Sequence, residues 1–191
     1  MITSSTIFRT AALCASMALS VAALGCGGGA AESGAGAAET GANQGGLVGQ
    51  KAPEISAEAV TGEGPKTLGE ASGKVVILDF WATYCDPCKK SFPKYQEIVD
   101  ELGSDLAVIA ISVDDPDDAS EDKLKKFAEE TGVKFAIVWD KEKATAGKYS
   151  PPKMPTSFII DKEGTVKHIH AGYESGEEAK IVEEVKALLG K

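Results

Sequence analysis

The stretch VVILDFWATYCDPCKKSFP, Val75–Pro93, decides how the chain is read. It opens on an apolar run of the kind that forms a strand covered on both faces of a sheet. Directly after that run it places Cys85 and Cys88, with Asp86 and Pro87 between them. Three uses fit such a pair: half of a metal site, a structural disulfide, or a couple that exchanges electrons. From Cys88 to Leu102, the residues Phe92, Tyr95, Ile98, Val99 and Leu102 recur at three- and four-residue spacing and predict a helix. LAVIAISV, Leu106–Val113, is a second apolar run, so strand, helix and strand form a parallel crossover.

The same alternation continues outward. SEDKLKKFAEETG predicts a helix capped by Ser120 and stopped by Gly132, and KFAIVWD a short strand after it. A helical segment near Lys143–Lys148 ends at SPPKMPT, where prolines forbid regular structure. TSFIID, a turn at DKEG and TVKHIHAGY predict an antiparallel hairpin. Ile181, Val182, Val185, Leu188 and Leu189 give the closing segment a helical stripe. Ahead of the core, APEISAEAVTGEGPKTLGEASGK suggests a small added N-terminal hairpin. The order is α/β, a mixed sheet between helices.

The N-terminal residues differ in kind. Met1–Leu24 carries one charge, Arg9, and an apolar segment ending in small residues, which reads as a secretory signal peptide over 1–25. AALGC, Ala22–Cys26, resembles the lipobox of bacterial lipoproteins, whose cysteine is lipidated and becomes the new N-terminus. Residues 26–49 read as lipidated Cys26 and a flexible Gly- and Ala-rich tether, with a reach on the order of 25 Å. Residues 50–191 have the size of one domain with its own core.

Cleavage would remove Cys14, and lipid would occupy Cys26, leaving Cys85 and Cys88 as the free pair of an exported chain. The mature balance is 19 basic against 29 acidic residues, a net −10, which argues against nucleic acid or anionic lipid as partner.

Cys85 falls at the strand end and Cys88 on the opening turn of the helix, with Pro87 where its missing N–H matters little. The backbone N–H groups and positive dipole end there favour a thiolate. Cys85 is expected to be the exposed, attacking sulfur and Cys88 the one that releases the mixed disulfide. Asp86 opposes the thiolate while Lys89 and Lys90 favour it. Asp79, set in an apolar wall, is a candidate buried acid that takes and returns the proton of Cys88. Pro155, between Met154 and Thr156, is a candidate cis proline.

Together, VVILDFWATYCDPCKKSFP and MPTSFIIDKEG resemble the thioredoxin superfamily, and more closely its TlpA/ResA-like, membrane-tethered branch. The likeness extends over nearly all of Leu47–Lys191. It implies a thioredoxin fold with an N-terminal addition and a central insert between the crossover strands and the hairpin. Cys85 would be the nucleophile, Cys88 the resolving thiol, Pro155 the cis proline facing them and Asp79 the buried acid. Trp81, Tyr84, Asp86, Pro87 and Met154 would lie at the substrate side, with Trp81 packed beside the site. Two positions depart from the pattern: Tyr84 stands where tryptophan is usual, and Ser112–Asp115 offers no lysine to Asp79.

The resemblance further implies a monomer without cofactor in the bacterial cell envelope. It would be anchored on the periplasmic side of a membrane, act on thiol- or disulfide-containing proteins and take electrons from a membrane donor, for example during cytochrome c maturation. Three other readings stay open. Cys85, Cys88, His168 and His170 would make a Cys₂His₂ zinc set, though the histidines also suit a solvated edge strand. A peroxiredoxin-like peroxidase lacks its usual proline and threonine spacing before Cys85. A copper-carrying or structural domain is the non-catalytic form. The acidic run Asp114–Asp122 reads as a solvated loop, since it lacks the glycine and terminal glutamate of a calcium loop.

Overall fold

Seven consecutive residues, Val75–Trp81 (β2), are buried along their whole length. Both strand edges are paired, to β3 (Leu106–Ser112) in parallel and to β5 (Thr156–Ile160) antiparallel, so neither backbone nor side chains meet water. The structure, a computed structural model, describes residues 46–191. The expected signal peptide, Cys26 and nearly all of the tether lie outside the described residues.

The sheet has six strands in the order β1-β4-β3-β2-β5-β6, with β1 at Glu58–Thr61, β4 at Ala136–Trp139 and β6 at Val166–Ala171. β4 runs parallel to β3, so the central insert contributes to the sheet itself. β5 and β6 form the expected antiparallel pair. Helices α1 (Asp86–Leu102), α2 (Glu121–Thr131) and α4 (Glu177–Leu189) cover one face, packing Phe92, Tyr95, Leu124, Phe127, Ile181 and Val185 onto Val75, Ile77, Val108 and Ile159. The short helix α3 (Ala144–Tyr149) and the segment before β2 cover the other, on Leu78, Phe80, Ile109 and Phe158.

Local signals set the boundaries. Ser120 Oγ accepts from the Lys123 N–H to cap α2, and Gly132 closes it at φ 71°. α1 contains Pro93, whose ring removes one N–H from the helix ladder. Among the described residues, no helix is long and apolar enough to cross a membrane.

The N-terminal addition differs from the expected hairpin. It contributes one strand, β1, whose partner is β4 across Glu58↔Trp139 and Ala59↔Val138. Gly62, at φ 87°, turns the chain out of β1, and Pro65 has no N–H to give a returning strand. The following residues close on themselves in turns, with Lys66 N donating to Glu70 Oε2 and Glu70 N to Thr67 Oγ1.

Candidate active site

Cys85 is the N-cap of α1, with extended backbone at φ −86° and ψ 97°, and Pro87 lies in the first turn. The N–H of Cys88 donates to Cys85 Sγ at 3.2 Å, a capping bond in which sulfur takes the place of a serine or aspartate oxygen. The two sulfurs are bonded to each other, with the Cα atoms 5.3 Å apart. Both cysteines are buried, contrary to the exposed sulfur expected: Cys85 keeps 6% of its surface and Cys88 none, so Cys85 is the more accessible of the pair.

The loop before Cys85 is held by a residue assigned above to a solvated loop. Asp114 is buried, and its carboxylate accepts from Thr83 N at 2.9 Å, Thr83 Oγ1 at 2.6 Å and Ser112 Oγ at 2.8 Å. Its carbonyl accepts from Trp139 Nε1 and Lys143 Nζ. These bonds tie the cysteine loop to the ends of β3 and β4. The rest of the acidic run, from Asp115 to Asp118, is exposed as expected. Asp114 turns inward, where its carboxylate meets the donors of Thr83 and Ser112 at the end of β3.

Tyr84 projects outward, 67% exposed. Asp86 also faces solvent, 3.5 Å from Lys89 Nζ, an exposed pair of small energetic weight. Trp81 does not stand at the substrate side. It is fully buried, its ring centroid 4.4 Å from Phe127 and 5.0 Å from Phe92, and supports the start of α1 from below.

The opposite wall is the proline loop. Thr156 lies across from Phe80, which brings Met154–Pro155 to the end of β2 from which the cysteine loop leaves. That peptide bond is cis. Pro155 carbonyl accepts from Gly172 N at 2.7 Å, joining the loop to the end of β6. A groove of about 540 Å³ runs here, lined by Pro87, Lys153, Met154, Gly172, Tyr173 and Glu177. Gly172 sits at φ 85°, and an added Cβ would meet only the movable end of Lys153. Gly172→Ala is therefore expected to destabilise by about 1–2 kcal/mol, the left-handed backbone penalty alone, read by denaturant unfolding.

Asp79 has no solvent-exposed surface, which excludes a wetted strand edge. Burial pushes its carboxyl up to about 7, while bonds from Ser157 and Tyr95 pull the other way. Ser157 Oγ donates to Asp79 Oδ1 at 2.6 Å and is itself 2.6 Å from Tyr95 Oη. Asp79 Oδ2 is buried without a hydrogen-bond partner among the described residues. Burial, then the charge of Asp79, holds the Tyr95 phenol well above its ordinary value.

Two hydroxyls thus neighbour Asp79, to which Ser112–Asp115 offers no lysine. Neither was singled out in the sequence: Tyr95 read as one more residue of an apolar stripe. The available signal was Ser157, a polar residue at an inward position of a strand.

The histidines do not join the cysteines. His170 is 5% exposed, with Nε2 2.6 Å from Glu184 and Nδ1 3.2 Å from Glu177, and His168 lies 3.5 Å from Glu184. β6 is an edge strand, but α4 lies over this face of it, so His170 is not solvated as its alternating pattern suggested.

Residues 48–169 match the AhpC/TSA family. The thioredoxin-like protein YneN of Bacillus subtilis is 36% identical over 124 residues, covering 65% of this chain and 71% of that protein. The thiol-disulfide oxidoreductase ResA of Geobacillus thermodenitrificans is 34% identical over 136 residues, covering 70% and 74%. Among solved structures, a Chlorobium tepidum protein described as a thiol:disulfide interchange protein, DsbE, superposes with a TM-score of 0.66 at 32% identity, covering 75% of this chain and 98% of that one. With its cysteine pair on the first helix of a thioredoxin fold, the chain belongs to the AhpC/TSA family, as a thiol-disulfide oxidoreductase.

Proposed function

We propose that the chain is an extracytoplasmic, lipid-anchored reductant of disulfides in other proteins, working through Cys85 and Cys88. The observation that carries this reading is the asymmetry of the pair: a cysteine at a helix start that keeps a trace of its surface, backed by one that keeps none. The apolar N-terminal segment and AALGC support export and anchoring at Cys26.

In the reduced enzyme, the N–H groups at the start of α1 stabilise a Cys85 thiolate. It attacks one sulfur of the substrate disulfide, forming a mixed disulfide and releasing the other sulfur as a thiolate, which takes a proton from water. Asp79 accepts the proton of Cys88, whose thiolate then attacks Cys85 Sγ. The second substrate sulfur leaves, and the enzyme holds the Cys85–Cys88 bond. Two electrons have passed to the substrate, and a membrane donor must return them. Pro155 and Met154 form the wall against which the substrate chain lies, with Tyr84, Asp86 and Pro87 on the facing side.

Cys88→Ser strands the substrate on Cys85, so a reducible adduct at Cys85 is the expected result. Its absence with every disulfide protein offered overturns the reading. Direction follows from the potential of the pair, since about 30 mV moves the equilibrium tenfold. A reductant requires a potential below that of the trapped substrate. Faster oxidation of Cys85 by peroxide than by a protein disulfide would make the chain a peroxidase.

A further inference from the structure

Asp79 has two oxygens, and the hydroxyls around it distinguish them. Ser157 has one proton and gives it to Asp79 Oδ1, so in the 2.6 Å contact between Ser157 and Tyr95 the tyrosine donates. Both protons of this chain point toward the carboxylate. Reversing the chain to place a proton on Oδ1 would turn Ser157 toward Tyr95. The Tyr95 proton would then lose its acceptor inside the core, where an unpaired donor is expensive. Oδ2 carries no such constraint: it is buried and has no partner among the described residues.

We propose that Ser157 and Tyr95 are positioning residues that keep Asp79 Oδ1 an unprotonated acceptor and leave Oδ2 as the atom that exchanges the proton of Cys88. This rests on the reading of Asp79 as the acid-base group given above. Three elements carry these groups. Register sets Asp79 of β2 opposite Ser157 of β5, and α1 supplies both Cys88 and, two turns on, Tyr95. Other charged groups on this face are Glu177 of α4, which acts on Tyr95, and His170 of β6, the cross-strand neighbour of Ser157, held between Glu177 and Glu184.

The test is single-turnover resolution of a mixed disulfide preformed on Cys85, followed across pH in the full domain. Ser157→Ala is expected to raise the midpoint of the resolving rate by about one pH unit, because an ionised carboxylate loses a donor. Tyr95→Phe should raise it by less, and Ser157→Thr, which keeps the hydroxyl, should restore it. Asp79→Asn should abolish the midpoint. If Asp79→Asn abolishes it while both hydroxyl deletions leave it unchanged, the positioning role is wrong and the acid-base role stands. If the midpoint survives Asp79→Asn, the acid-base role fails and this inference with it. Should Ser157→Ala not fold, Tyr95→Phe and the infrared band of the protonated Asp79 carboxyl in the oxidised protein decide the matter in the same terms.

Discussion

Cys85→Ser is expected to lower disulfide-reductase activity on a generic protein disulfide by at least about a thousandfold, the scale of losing a covalent nucleophile. A hydroxyl at this position meets the same N–H groups but does not ionise near neutral pH, so capping survives while attack does not. Cys88 cannot substitute, since it has no exposed surface to present to a protein partner. Retention of more than a tenth of the activity by Cys85→Ser would remove the mechanism. The fold should tolerate the change: the bond closes a ring between residues only three apart in sequence, so little chain entropy depends on it.

Asp79→Asn should stabilise the protein, and by an amount that depends on pH. The native carboxyl titrates at about 7 and the unfolded one near 3.8. Below the lower value both states hold the proton, and above the upper value neither does. Between them the native state binds a proton that the unfolded state has lost, so stability falls as pH rises through this window. Wild-type protein accordingly loses up to about 4 kcal/mol between pH 4 and pH 8 through this residue. An amide has no such titration. Denaturant unfolding should show the variant gaining up to about 4 kcal/mol at pH 8 and almost nothing at pH 4. An equal gain at both pH values would mean that burial of the charge is not the origin. That expense is the one the acid-base role proposed for Asp79 would carry.

The strands, the crossover and the cysteine pair followed from local pattern. VVILDFW and LAVIAISV are apolar throughout because both faces are covered, and the stripe of α1 fixes which side meets the sheet. Pro155 was reached through its setting in MPT, and the structure places the cis bond there. What local pattern could not supply was register between distant strands. That Asp79 meets Ser157 depends on how β5 slides along β2, 78 residues away in sequence. That Asp114 turns inward depends on Thr83, and that His170 is covered depends on where α4 docks. The N-terminal hairpin failed for the same reason, since β1 found an open sheet edge at β4 before a partner of its own.

Helix α1 carries the capping sulfur at one end and the Tyr95 hydroxyl further along, so one rod gauges both the electron and the proton side of the exchange. Pro93 lies between them and leaves the Lys89 carbonyl without its helical N–H. A single helix therefore sets the spacing between the disulfide and the hydroxyls around Asp79.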